Sequence, residues 1–171
     1  MSVVAAGILA EPKNTVADMI SRCGTFQAEV GATGDAVKAW DSIELTRWII
    51  DESTLPPGGP FALVYLDEGF RMTRTSEGAA WNYQTNGAVM VYFRTDSPFQ
   101  YATVRDQATA MENYVGAVMK ELFDMSAVGG ENLCIREIEL TMEPQRVAKQ
   151  MLFRRSYNWW DAQIRIDWGP D

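Results

Sequence analysis

The sequence predicts an α+β fold, in which a mixed or antiparallel sheet carries two main helices packed on one face. Two segments repeat apolar residues every three to four positions, and several shorter segments alternate or run apolar as strands do. Because the strands come in runs and the helices stand apart from them, the order favours α+β over alternating α/β. The 171 residues, 47% of them apolar, suffice for one domain with its own core. We expect an N-terminal arm over residues 1–12 and a single domain over residues 13–171.

The first helix is predicted to follow Asn14 or Thr15, either of which can accept a free backbone N–H as the N-cap. It is expected to end near Gly31, and the segment from Gly34 to Asp41 adds a short helical turn. The apolar stripe of this helix has helical spacing. Its members are Val16, Ile20, Cys23, Phe26 (or Gln27) and Val30.

The middle of the chain is predicted to be mostly strand. The apolar or alternating segments there are Thr46–Ile50, Phe61–Leu66, Phe70–Thr75 and Ala88–Phe93. Ser53–Pro60 is rich in proline and glycine and predicts a surface loop. Asp67–Gly69 predicts a tight turn, after which Phe70–Thr75 returns as the hairpin partner of Phe61–Leu66. Ser76–Gly87 is polar and contains glycine, so we expect a loop there.

The longest helix is predicted to start at Ser97 and Pro98, which suit the cap and the first helical position. It is expected to end near Asp124, ahead of Gly129 and Gly130. The spacing of its apolar residues alternates between three and four. These residues are Tyr101, Val104, Ala108, Met111, Val115, Val118 and Leu122.

Two strands are predicted to close the chain. Leu133–Leu140 changes the parity of its apolar residues, which predicts a bulge near Arg136–Glu137. A polar crossing, Glu143–Met151, separates it from Asp161–Trp168. This last segment alternates apolar and polar residues, so we expect one face to be buried and the other to lie in water.

Composition and charge exclude several function classes. The net charge of −8 and a pI of about 4.6 give a surface that repels nucleic acid. The absence of histidine removes the commonest general base and metal ligand, and with them Ser-His-Asp and Cys-His catalysis. Cys23 and Cys134 are too few for a zinc site or a disulfide framework. Met1–Glu11 has no basic residue before its apolar residues, unlike a signal peptide, so we expect a cytosolic origin.

No motif in the sequence organises a catalytic site. The glycines of Pro56–Pro60 precede no lysine and open no helix, so this segment is not a phosphate-binding loop. Glu137 and Glu139 on one strand, with Asp161 and Asp167 on another, could together hold a divalent cation. A polar sheet face accounts for these carboxylates equally well. We expect no metal and no cofactor.

Aromatic and basic residues are the candidates for a protein-binding surface. Trp159 and Trp160 are adjacent, so on a strand they point to opposite faces and one of them needs a cover. Trp and Tyr are enriched at interfaces, and basic residues of an acidic chain can meet an acidic patch on another copy. The candidate interface residues are Trp81, Tyr83, Lys149, Arg154, Arg155, Trp159 and Trp160. Loops that bury the aromatic residues and a solvated run of basic residues remain the alternatives.

The order of these elements resembles that of the tail-terminator proteins of tailed bacteriophages, also called tail-completion or minor tail proteins. The resemblance runs from about Val16 to Gly169. It consists of a striped first helix, a strand after a Pro-rich loop, a strand that starts at glycine, a long helix and two closing strands. The segments that carry it are Cys23–Gln27, Pro60–Val64, Gly87–Phe93, Tyr101–Asp124, Leu133–Ile138 and Ile164–Gly169.

This resemblance implies a structural virion protein with no enzymatic step and no cofactor. It implies a closed ring, commonly of six copies, that caps the tail tube, ends its polymerisation and provides the joining surface to the head or neck. The implied partners are other copies of the chain, the tube protein and the head-completion or neck proteins. DNA would pass through an acidic lumen without specific binding, and no membrane is involved. The implied locations are the virion and, during assembly, the host cytoplasm.

Two other functions remain open from the sequence. A different head-to-tail neck or adaptor protein would also form a ring, but would bind on the portal side. A small acidic ligand-binding or enzymatic domain would be a monomer or dimer with a concave, aromatic-lined pocket.

Overall fold

A helical layer and a sheet make up the fold. A computed structural model of the chain describes residues 11–45, 59–67, 70–77, 80–128, 134–141, 154–155 and 158–169, with the backbone alone for 75–77, 80–84, 127–128 and 154–155. The helices are α1 (Glu11–Arg22), α2 (Gly24–Glu29), α3 (Ala36–Trp40) and α4 (Val104–Val128), with a 3₁₀ turn at Ser97–Gln100. The strands are β1 (Ile43–Leu45), β2 (Phe61–Leu66), β3 (Arg71–Glu77), β4 (Ala80–Thr95), β5 (Ile135–Thr141), β6 (Arg154–Arg155) and β7 (Trp160–Trp168).

The sheet is mixed. Its strand order is β1-β2-β4-β7-β5, and in addition β3 pairs with β4 and β6 pairs with β7. Strand β1 runs parallel to β2, and the other described pairs are antiparallel. Helices α1 and α4 pack on the same face of this sheet through one hydrophobic cluster. The predicted α+β class, with a mixed sheet and two main helices on one face, is confirmed.

The core lies between the helices and that face of the sheet. Strand side chains alternate between faces, so every second residue of β4 and β7 points into it. Each large apolar side chain buried in this way contributes roughly 1.5–3 kcal/mol to the free energy of unfolding. The largest core residues include Val16, Ile20, Phe26, Val89, Phe93, Met111, Leu122, Trp160, Ile164 and Ile166.

The first predicted helix is two helices in the structure. Helix α1 already begins at Glu11, so Glu11 and Pro12 belong to the helix and not to the predicted arm, whose residues 1–10 lie outside the described residues. The predicted cap at Asn14 or Thr15 is wrong, because both residues lie inside α1. The backbone becomes extended at Cys23, with ψ of 117°, and α2 starts at the next residue. The carboxylate of Glu121, on α4, accepts hydrogen bonds from the backbone N–H (3.2 Å) and the hydroxyl of Thr25. This long-range cap stabilises a new helix start that the apolar stripe did not indicate.

The strand pairing in the middle of the chain differs from the prediction. At the expected turn, Asp67 still donates its backbone N–H to Ala88 of β4, at 2.9 Å. The chain therefore continues instead of reversing, and β3 pairs with β4 rather than with β2. The predicted loop Ser76–Gly87 is also wrong, because β4 begins at Ala80 and is 16 residues long.

The long helix starts later than predicted and ends later. Ser97–Gln100 forms only a 3₁₀ turn, and Tyr101 is extended and 44% exposed, so it does not belong to the buried stripe. The N-terminus of α4 is capped instead by Thr103, whose hydroxyl accepts from the N–H of Asp106 (3.1 Å) and donates to its carboxylate (2.7 Å). The first bond satisfies a backbone N–H that the helix end leaves free, and the second holds the Thr103 hydroxyl in place.

The closing strands follow the prediction except in their exposure. The register of β5 against β7 shifts between Ile135 and Glu137, which confirms the bulge. The alternation of β7 is confirmed, but its polar face is only partly in water: Asp161 is 3% exposed, whereas Arg165 and Asp167 are 39% and 29% exposed. The predictions for Thr46–Ile50 and Glu143–Met151, and most of the Ser53–Pro60 loop, lie outside the described residues.

Candidate interaction surfaces

A two-stranded ribbon extends past the end of the sheet. Strand β3 and the first part of β4, Ala80–Asn86, form seven register pairs with each other, and no other described strand pairs with either segment. The pairing of β7 with β4 begins at Gly87, and the pairing of β2 with β4 begins at Val89. We call the two segments Arg71–Glu77 and Ala80–Asn86 the distal ribbon.

The described side chains of β3 in the distal ribbon are exposed, whereas Thr85 and Asn86 of β4 are half-buried. Arg71, Met72, Thr73 and Arg74 all lie in solvent, and Met72 is 57% exposed. Arginine and methionine are enriched at protein interfaces relative to the rest of the surface. A stretch that exposes both residue types on a strand has the composition of a contact surface.

The base of the distal ribbon is packed tightly against the closing strand. The Phe70 and Trp168 rings lie 6.2 Å apart between centroids. Gly87 sits against the Trp168 indole, and a Cβ at this position would lie 2.8 Å from Cη2 of that ring. Only glycine leaves room for such a close approach of β4 to a side chain of its neighbour. The ribbon is therefore held at its base by packing.

A buried polar cluster lies on the face of the sheet opposite the helices. Nε of Arg94 donates to Oδ1 of Asp161 at 2.8 Å, and a terminal guanidinium nitrogen donates to Oδ2 at 3.2 Å and to the hydroxyl of Tyr92 at 2.8 Å. The guanidinium carbon lies 4.4 Å from the Trp159 ring centroid and 5.6 Å from that of Phe61. Arg94 and Asp161 are 4% and 3% exposed. This bidentate pair between aromatic rings is a structural arrangement.

The titration behaviour of this cluster agrees with a structural role. Burial raises the pKa of the Tyr92 hydroxyl far above its usual range, and the Asp161 carboxylate adds to the effect. Burial opposes the charge of Arg94, but the hydrogen bonds and charge of Asp161 outweigh it and raise the pKa of Arg94. Neither group exchanges its proton near neutral pH, as general acid–base catalysis requires.

A second polar group lies further along the same face. Arg165 is 3.0 Å from Asp167 and 3.6 Å from Asp67, and all three side chains are between 29% and 39% exposed. Ion pairs this accessible contribute about 0–1 kcal/mol. Beside them, the amide of Gln163 donates to the hydroxyl of Tyr65 at 2.5 Å.

The possible cation site of the sequence analysis included two carboxylates of β7, Asp161 and Asp167. In the structure, Asp161 pairs with Arg94 and Asp167 pairs with Arg165. In the part of the chain that is described, no group of three or more potential ligands is arranged to hold a metal ion.

The predicted interface residues are spread over different parts of the structure. The backbone of Trp81 and Tyr83 lies in the distal ribbon, opposite Ser76 and Arg74. Arg154 and Arg155 form β6, which pairs with Asp161 and Trp160 of β7. Lys149 lies outside the described residues.

The two adjacent tryptophans do point to opposite faces. Trp160 is fully buried under the helices, and its indole N–H lies 3.4 Å from Oε1 of Gln107. The prediction that Trp160 is an interface residue is therefore wrong. Trp159 is half-buried and packs on Arg94. Sequence reasoning missed Arg94 and Tyr92, because an arginine and a tyrosine at the end of an apolar strand have no pattern of their own. It also missed Arg71 and Met72, because β3 was assigned to another partner.

Comparison with models of known protein families and with curated proteins found no match to the chain. Among the described helices, none combines the length and apolarity needed to cross a bilayer. The functional conclusion therefore depends on the order of the elements and on the geometry of the exposed strands.

Proposed function

We propose that this chain is a structural virion protein that caps a bacteriophage tail tube as a closed ring, ending tube polymerisation and joining the tube to the head or neck. The element order supports the proposal: helices first, then strands, a long helix and the closing strands β5, β6 and β7, of which β6 has only two residues. The resemblance that this order carries implies six copies in the ring.

The observation that carries the proposal is that one molecule presents two unlike strand surfaces. The distal ribbon extends from one end of β4, and β5 is the last strand of the described sheet order. Exposed strands offer backbone groups that can pair with another chain. When two unlike surfaces on copies of one chain pair, the contact is heterologous and repeats head to tail, which gives a ring if the rotation closes.

The buried polar cluster supports a role without chemistry. Arg94, Asp161 and Tyr92 satisfy one another below the surface, at 3–5% exposure, where a substrate does not reach them. The net charge of −8 supports the passage of DNA, because an acidic lumen repels the phosphate backbone.

The decisive experiment mixes the purified protein with tube protein and examines the products by negative-stain electron microscopy and native mass measurement. We expect rings on one end of the tubes and shorter tubes as the molar share of this protein rises. A stable monomer both with and without tube protein contradicts the proposal. Rings that bind portal or neck proteins and leave tube growth unchanged also contradict it, and identify a neck or adaptor protein instead.

A further inference from the structure

We propose that the distal ribbon joins neighbouring copies of this chain by adding β3 to the outer edge of β5 in a second copy. The inference rests on the proposed ring and names the contact that closes it. The binding partner of the ribbon is thus another copy of the same chain. The two copies are joined by strand pairing, and opposite charges support that pairing.

The distal ribbon needs a partner on physical grounds. Its seven register pairs correspond to a length of roughly 20 Å beyond the strands β2 and β7. An isolated two-stranded ribbon is marginally stable in water, and a third strand or an apolar cover is required for independent stability. The described part of the chain provides neither, and Met72 is 57% exposed. A third strand from another copy would complete the ribbon.

Strand β5 fits the ribbon in length. Both β3 and β5 contain seven residues, so the two strands are similar in length, and Glu137–Thr141 of β5, beyond its bulge, are regular enough to pair. Strand β1, at the other end of the sheet order, has three residues in the described part of the chain. In the described strand order, β5 pairs with β7 on one side and has no strand on the other.

Charge also selects β5. The exposed charged residues of β5 are Arg136, Glu137 and Glu139, so acidic side chains outnumber basic ones, and Arg71 at the start of β3 is exposed as well. Within the described structure, none of the side chains of Glu137, Glu139 and Arg71 forms an ion pair with its own chain. Glu139 is the register partner of Arg165 on β7, whose ion pairs are with Asp67 and Asp167. Opposite charges across a strand pair stabilise it and like charges oppose it. In a chain of net charge −8, an exposed arginine on a projecting strand is suited to the acidic edge of a second copy.

Cross-linking through a native thiol tests the contact. Cys134 is exposed and directly precedes β5. We would place a cysteine near either end of β3, as Met72→Cys or Ser76→Cys, and treat the assembled full-length protein with a short bismaleimide. We expect one of the two variants to give a ladder of cross-linked oligomers: Met72→Cys if the strands are parallel, Ser76→Cys if they are antiparallel. No cross-link from either variant overturns the inference.

The chain offers matched controls for this experiment. Burial raises the pKa of the Cys23 thiol to about 12, with a further contribution from Glu121, so this cysteine does not react at neutral pH. Cys134→Ser in either variant should abolish the ladder. Val37→Cys, on α3 at a residue that is 82% exposed, should give no cross-link to Cys134.

Charge reversal gives an independent measurement. Arg71→Glu alone, or Glu137→Arg with Glu139→Arg, should weaken assembly by about tenfold or more, because like charges then face each other. Combining all three changes should restore assembly. Arg105→Glu, which makes the same change in net charge on α4, should have little effect. Equal assembly of wild type and Arg71→Glu, measured by sedimentation, contradicts the inference.

The inference and the proposed function fail in different ways. If the wild type caps tubes as a ring but β3 neither cross-links nor responds to charge reversal, the ring uses another contact and only the inference is wrong. If the wild type never assembles, even with tube protein, the proposed function is wrong and the inference with it.

Discussion

Arg94 and Asp161 show how a single pair decides the character of one sheet face. Strand alternation places Asp161 on the face opposite the helices, where a carboxylate would ordinarily be solvated. Its pairing with Arg94, between the rings of Phe61 and Trp159, allows it to be buried instead. Burying two charges costs free energy that their attraction only partly returns, so the pair is better understood as fixing local geometry than as a source of stability.

Breaking this pair is the first prediction. Asp161→Asn keeps the shape of the side chain but leaves the guanidinium of Arg94 buried without a counter-charge. We expect a loss of about 3–5 kcal/mol in the free energy of unfolding, measured by urea denaturation of the monomer.

An accessible ion pair provides the control for that measurement. Asp67→Asn removes the carboxylate that lies 3.6 Å from Arg165, in a pair whose side chains are 39% and 34% exposed. It should cost no more than about 1 kcal/mol. Equal losses in the two variants would show that burial of the Arg94–Asp161 pair has no energetic consequence.

At the scale of elements, β4 performs two tasks along its 16 residues. Its second half lies in the centre of the sheet, between β2 and β7, and contributes core side chains. Its first half forms the distal ribbon with β3. The transition falls at Gly87, where the backbone passes against Trp168.

Substitution of Gly87 tests this close approach. Gly87→Ala places a methyl group 2.8 Å from the Trp168 ring and should destabilise the protein by about 1–3 kcal/mol, since neither strand can move away freely. Gly116→Ala is the matched control, because a Cβ there meets nothing within 4 Å and the residue is exposed within α4. It should stabilise by about 0.5–1 kcal/mol. Thermal denaturation of both variants checks the opposite signs.

For the whole molecule, the fold separates a packed body from a projecting ribbon. The helices, β2, the second half of β4 and β7 share one core, whereas the described β3 side chains of the ribbon, at residues 71–74, are exposed. Assembly and folding are therefore expected to depend on different residues.

Deleting the distal ribbon tests this separation. Arg71 and Asn86 are register partners, so residues 72–85 can be replaced by Asn-Gly, which favours a tight two-residue hairpin turn. We expect the shortened chain to fold with a free energy of unfolding within about 1 kcal/mol of wild type, at concentrations where both are monomeric. The same chain should fail to form rings. A shortened chain that does not fold would show that the ribbon belongs to the core.

Local patterns in the sequence were sufficient for several elements. Strand β2 has its predicted bounds, β7 alternates as predicted, and the change of parity in β5 correctly indicated a bulge. The body of α4 followed from its apolar stripe. In each case the pattern is contained within a few neighbouring residues, because helices and strands repeat over short distances.

Only the tertiary structure decided where one segment meets another. The helix break at Cys23 depends on Glu121, which lies 96 residues from Thr25, and the burial of Asp161 depends on Arg94, 67 residues away. The predicted pairing of β3 with β2 was wrong because Asp67–Gly69 has the composition of a turn. In the structure, the hydrogen bond from Asp67 to Ala88 keeps the chain alongside β4. Composition and periodicity determined the fold class, the core faces and the acidic surface. Strand pairing, helix capping across the core and the distal ribbon were decided by contacts between distant residues, which a local pattern does not contain.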